Sequence, residues 1–127
     1  RIHSPDGKII HAGVYYNQTK LPYEKKDADG ATNIKEVPSV TGACMMVSKS
    51  VWNEVGGMNE EFINGWEDND LILRIKEKGY RIYYNGQVAI THVLHGSIAQ
   101  GRLKCEERNV NLFKEIWIKT GRINTLV

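Results

Sequence analysis

The sequence is short of the residues that would staple, anchor or steer it. Cys44 and Cys105 are its only cysteines, far apart and outside any CxxC pair. That excludes a disulfide framework and a cysteine zinc site, and it reads as two reduced, structural thiols in a cytoplasmic protein. No apolar run approaches the roughly 20 residues that span a bilayer, so membrane association is expected to be peripheral at most. Neither sign of charge dominates: 17 Lys and Arg against 15 Asp and Glu leave a formal net charge of +2. A balance like this, without a basic patch interleaved with aromatics, argues against nucleic acid as a partner. The opening residues Arg1-Ile2-His3-Ser4-Pro5 lack the apolar centre of a signal peptide and a starting Met, as in a processed or shortened chain. No internal repeat or low-complexity segment is present.

What the chain does have is enough length, 127 residues, for one domain with a real core. Pro5-Asp6-Gly7 signals a turn, and the β formers from Lys8 to Tyr16 predict a strand. Asn17 to Glu36 is polar and predicts a long exposed loop, with Lys25-Lys26 solvated and His3 and His11 at the surface. From Val40 to Val47 the run is nearly continuous and apolar, the pattern of a buried strand. Ser48 is placed to cap a short helix to about Val55, which Gly56-Gly57 stops. A second helix is predicted over Glu67 to Lys78, acidic at its start, basic at its end, with Gly79 behind it. Its Asp70 and Arg74, four apart, suit an ion pair with a structural role. Arg81–Tyr84 and Val88–His92 read as short strands around the Asn85-Gly86 turn. After a Gly-containing loop over 93–103, a last helix runs from Lys104 to Lys119, with Cys105, Leu112, Phe113, Ile116 and Trp117 on one face. Tyr83, Tyr84 and Trp117 are expected in the core. Strands alternating with helices indicate an α/β class, with too few strands for a whole sheet.

Four pieces stand out in order: Thr41-Gly42-Ala43 opening the apolar run; Gly56-Gly57-Met58-Asn59-Glu60-Glu61-Phe62; Gly65-Trp66-Glu67-Asp68-Asn69-Asp70-Leu71, leading to Arg74 and Gly79; and Ile90-Thr91-His92 followed by His95-Gly96-Ser97. Their order and spacing resemble the acceptor-side, C-terminal half of glycosyltransferase family 2, which has the GT-A fold. The Gly-Trp-Glu-Asp stretch is also similar to an acceptor-side motif of galactosyltransferases. The resemblance covers about the whole chain and is strongest from Val40 to Ser97. It implies a partial GT-A, Rossmann-like mixed sheet flanked by helices. Residues 1–36 would be a strand and long loop, 37–103 the acceptor and catalytic core, and 104–127 the terminal helix. Met58-Asn59 departs from the usual Phe-Asp. The family's N-terminal nucleotide-binding half and its DxD metal motif are missing, since Asp27-Ala28-Asp29 sits in a polar loop and Asp68-Asn69-Asp70 in a helix start.

By this resemblance the intact enzyme inverts configuration, moving a sugar from a nucleotide-diphosphate donor to a hydroxyl on a glycan or lipid-linked acceptor. Asp68 would be the base, Glu67 would position acceptor hydroxyls or nearby backbone, and Trp66 would pack against a sugar ring. Small Thr41, Gly42 and Ala43 would let backbone approach the substrate. His92, preferred narrowly over His95, would bind the Mn²⁺ or Mg²⁺ that bridges the donor diphosphate. Taken without the resemblance, an acidic first turn mostly just stabilises a helix dipole, and a strand-end His is usually packed. The rival reading is a non-catalytic carbohydrate-binding or scaffolding module, favoured by the missing DxD. An exposed apolar edge near Val40–Val47 would also promote a homo-oligomer.

Overall fold

Residues 1–26, 31–93 and 102–127 are described in the computed structural model, with side chains omitted for 102–104. Asp27-Ala28-Asp29, His95 and most of the 93–103 loop lie outside the described residues.

Gly13 divides the first predicted strand in two. Its φ is 110°, and a Cβ there would stand 3.3 Å from a Val37 methyl, so only glycine fits the bend. Before it lies β2 (Ile9–His11) and after it β3 (Val14–Tyr16). Strand β1 (Ile2–His3) pairs antiparallel with β2 and, on its other side, parallel with β7 (Ile90–Thr91). Strand β3 turns back on β4 (Pro22–Glu24). The Asn17 side chain makes that turn, accepting from the amides of Thr19 and Leu21. Strand β5 (Ile34–Glu36) pairs with β6 (Tyr83–Asn85). The predicted long loop over 17–36 therefore carries two strands, each defined by a partner.

The fold is mixed α/β, and the described residues form one three-stranded sheet and two two-stranded ribbons rather than a single partial sheet. Strands β6 and β7 do not form the expected hairpin across Asn85-Gly86. Gly86 instead lets another backbone pass: a Cβ on it would lie 2.1 Å from the Ala31 carbonyl oxygen. On β6 successive side chains point to opposite faces. Tyr84 is buried, whereas Tyr83 is 52 % exposed, against the expectation that both are core.

The helices follow the sequence signals closely. Helix α1 (Lys49–Val55) starts at Ser48, whose Oγ accepts from the Val51 amide, and ends at left-handed Gly56. Helix α2 (Glu67–Glu77) has Glu67, Asp68 and Asp70 in its first turn and left-handed Gly79 behind it. Helix α3 (Arg102–Phe113) continues into a wider π turn, Lys114–Ile118. Among the described residues no helix is long and apolar enough to cross a membrane.

Two apolar clusters hold the chain, and α2 runs between them. Leu71, Ile72 and Ile75 pack with Val37, Ile82 and Tyr84, while Leu73 packs with Phe62, Phe113, Trp117 and Ile123. Burying α2 on both sides fixes the direction in which its first turn points.

The segment Val40–Val47 is not the buried strand its composition suggests. A single 3₁₀ turn, Gly42–Cys44, interrupts it, capped by the Thr41 hydroxyl. Cys44 is exposed and Met46 is 97 % exposed, so Cys44 is no packed structural thiol. A strand needs hydrogen-bonding neighbours, and here the Gly42 amide bonds the Asp68 carboxylate instead of a neighbouring backbone. Val40, Met45 and Val47 instead line a mainly apolar cleft of about 480 Å³ with Ile72, Ile75 and Ile82.

Candidate active site

The turn before α2 carries three consecutive residues at positive φ. Asn64, Gly65 and Trp66 have φ of 53°, 143° and 76°. A bulky residue at positive φ costs on the order of 1–3 kcal/mol and persists only when its surroundings over-determine it. Here they do. Asn109 of α3, 1 % exposed, donates to the carbonyls of Ile63 (2.7 Å) and Gly65 (2.9 Å) and accepts from the Ile63 amide (3.3 Å). Glu67 Oε2 accepts from the Gly65 amide at 2.7 Å. The Trp66 indole donates to Glu106 Oε1 at 3.0 Å, and its ring lies 5.2 Å from that of Phe113.

This turn delivers Asp68 to a surface it shares with the 41–43 segment. Asp68 Oδ2 accepts from the Gly42 amide at 2.7 Å, and Oδ1 accepts from the Asn69 amide at 2.8 Å and side-chain nitrogen at 3.0 Å. The carboxylate is thus held by two backbone N–H groups and an amide, with lone pairs to spare. A Cβ on Gly42 would sit 3.2 Å from Asp68 Cβ and 3.5 Å from Oδ2. Gly42→Ala is therefore expected to push the carboxylate aside by a few tenths of an ångström. Stability should drop by about 1 kcal/mol, which thermal melts of the variant and the parent chain check.

A pocket of about 480 Å³ opens above these groups. Thr41, Gly42 and Ala43 form one wall and Trp66, Glu67 and Asp68 the next, with His92 also on the lining. The structure thus brings all seven sequence-predicted residues to one cavity. His92 follows β7, its amide donating to the His3 carbonyl at 2.8 Å.

Three further residues carry no site role in the sequence reading, which places Glu106-Glu107-Arg108-Asn109 at the opening of the last helix. Glu106 lines the pocket and Asn109 sits behind it; a polar pair three apart on the apolar side of a predicted helix is the signal that marks them. The third is His11, expected at the surface but only 4 % exposed. Its Nδ1 accepts from the Gly13 amide at 3.3 Å, which assigns the proton to Nε2. That nitrogen is buried and has no partner among the described residues. Burial pushes the His11 pKa from 6.5 down to about 4, with Asp68 opposing the shift. Between those two values the unfolded chain binds a proton that native His11 refuses, so stability is retained above pH 6.5 and lost as pH falls toward 4. The loss should amount to about 2–3 kcal/mol, and His11→Asn, which keeps an acceptor for Gly13, should flatten that part of a stability–pH curve measured in urea.

A divalent cation does not fit the described residues as they stand. No three His, Cys, Asp or Glu side chains among them converge on a point that could hold one. His92 alone is a poor site for a hard cation, which takes several oxygen ligands.

Comparison with known proteins gives this geometry a context. The low-salt glycan biosynthesis hexosyltransferase of Haloferax volcanii is 32 % identical over 63 residues, covering 50 % of this chain and 20 % of its own. The O-antigen biosynthesis protein of Myxococcus xanthus is 30 % identical over 98 residues, 69 % of this chain and 8 % of its own. An uncharacterized protein of Sinorhizobium fredii is 27 % identical over 126 residues, 91 % of this chain and 14 % of its own. The chain therefore spans less than a third of each of these relatives. No solved structure matches it. A family model described as the N-terminal domain of galactosyltransferase matches residues 31–96, just over half of the chain and all of the Gly-Trp-Glu-Asp turn, and the chain belongs to that glycosyltransferase family.

Proposed function

We propose that this chain is the acceptor-side part of an inverting, family-2-like GT-A glycosyltransferase of glycan or polysaccharide biosynthesis. In this reading Asp68 Oδ2 or Oδ1 takes the proton of an acceptor hydroxyl. The hydroxyl oxygen attacks the anomeric carbon of a nucleotide-diphosphate sugar, and the bond to the leaving diphosphate oxygen breaks with its electron pair. The observation that carries the reading is the fixing of Asp68 by the Gly42 amide on a pocket wall shared with Trp66. That is a carboxylate held in place on a cavity whose lining also includes an aromatic side chain, an arrangement suited to a sugar hydroxyl. The names of the Haloferax and Myxococcus relatives, a glycan biosynthesis hexosyltransferase and an O-antigen biosynthesis protein, point the same way.

Glu67 holds the Gly65 amide in this scheme, orienting the turn and leaving its second oxygen for an acceptor hydroxyl. His92 contributes at most one ligand to a divalent metal, the rest coming from outside the described residues, and no step here depends on it. The test is a transfer assay on the intact protein with a panel of nucleotide-diphosphate hexoses and saccharide acceptors, the product's anomeric configuration being read by NMR. Inverted product supports the reading. Retained configuration would sink Asp68 as the base, and saccharide binding without any transfer would favour the non-catalytic module.

A further inference from the structure

Helix α2 begins without a capping side chain. Its N-cap residue is Trp66, which makes no side-chain hydrogen bond to the free amides of the first turn. The buried residues of α2 start at Asp70, two positions beyond Asp68. The placement of Asp68 therefore depends first on the path by which the chain enters the helix, and that path is held from α3. Within one turn of α3, Glu106 accepts from the Trp66 indole and Arg108 donates to the Glu61 carbonyl. Asn109 donates to the carbonyls of Ile63 and Gly65 and accepts from the Ile63 amide. Asn109 is the buried member of the three. The segment it grips is the one that carries the positive φ values of Asn64, Gly65 and Trp66.

We propose that Asn109 is a positioning residue for Asp68: by fixing the path over 63–66 it sets where the carboxylate meets the Gly42 amide. The inference rests on the reading of Asp68 as the base and adds to it a residue that is not on the pocket lining. Without the Asn109 side chain, two carbonyls and an amide lose their partner in the interior, where an unpaired polar group is costly. The turn recovers partners for them by leaving its positive-φ path. The start of α2 moves with the turn, and the 2.7 Å bond from the Gly42 amide to Asp68 opens. A misplacement on the order of 1 Å can cost about 10²-fold in catalysis. A tie that only stabilised the fold would leave that bond alone.

The test reads the Gly42 amide signal of the ¹⁵N-labelled chain, with Asp68→Ala marking where the signal lies when no carboxylate accepts from it. Asn109→Leu keeps the volume and none of the bonds. Asn109→Ser admits water to the freed groups and serves if the Leu variant does not fold. Either should carry the Gly42 signal most of the way to its Asp68→Ala position. Ile123→Ala loosens the apolar cluster of Phe62, Phe113 and Trp117 without removing a hydrogen bond to the turn. It should lower the melting temperature and leave the signal in place. In the intact enzyme the Asn109 variants should lose about tenfold or more in kcat, with KM moving less. A Gly42 signal that stays put in a folded Asn109 variant, or that moves as far in Ile123→Ala, overturns the inference and leaves Asp68 as the base untouched. A signal that moves while kcat of the intact enzyme stays at wild type refutes Asp68 as the base, and the inference falls with it.

Discussion

Asp68→Asn should lower kcat of the intact enzyme by about 10²–10⁴, the usual scale for losing a general base, with KM moving much less. The variant has a structural cost that must be separated from this. The Gly42 and Asn69 amides donate to different oxygens of Asp68. A carboxamide offers one oxygen and one NH₂, so one of the two backbone amides would face a donor. That mismatch costs about 1–3 kcal/mol, enough to lower the melting temperature but not to unfold a typical domain. Kinetics therefore have to be taken well below the transition. The pH–rate profile supplies the independent readout: loss of the base should remove the acidic limb of kcat, whereas simple loosening of the 41–43 segment would scale the whole curve and keep its shape. Wild-type turnover in a folded Asp68→Asn protein would end the assignment.

How much of this was legible in the sequence depends on how local each signal was. Ser48, Gly56 and Gly79 fix helix ends through hydrogen bonds and φ values within a few residues, and the predicted bounds of α1 and α2 agree with the structure. Strands carry no such self-sufficient mark. Val40–Val47 has the composition of a buried strand, yet hydrogen bonding there is decided by which groups come alongside, and at Gly42 that group is the Asp68 side chain 26 positions away. His11 was misplaced for the same reason: its burial follows from the Gly13 bend and from packing that a window of sequence does not contain. The acidic turn was visible because Glu67 and Asp68 are adjacent in sequence. The residues that hold it were not, since Glu106 lies 40 positions from Trp66 and Asn109 lies 46 from Ile63.

Asp70 stands two residues from the proposed base and is expected to matter for a different reason. It is 1 % exposed, accepting from the Trp117 indole and from Arg74 Nε, each at 2.8 Å. Arg74 in turn donates to the Val55 carbonyl at 2.6 Å, so one carboxylate ties together α1, α2 and the π turn after α3. Asp70→Leu would leave a buried indole N–H and a guanidinium without their acceptor. Breaking one side of a buried pair costs about 3–5 kcal/mol, a large share of a domain's total stability. The urea midpoint should fall accordingly, while Asp70→Asn, which keeps an oxygen for Trp117, should lose less. The guanidinium's share is separable. Replacing a whole buried pair by apolar groups is often neutral, so adding Arg74→Met to Asp70→Leu should restore part of the midpoint and leave the share due to Trp117. If Asp70→Leu alone unfolded at the wild-type midpoint, the carboxylate would not be the junction of the three helices, and the tight placement of Asp68 would have to come from the two apolar clusters alone.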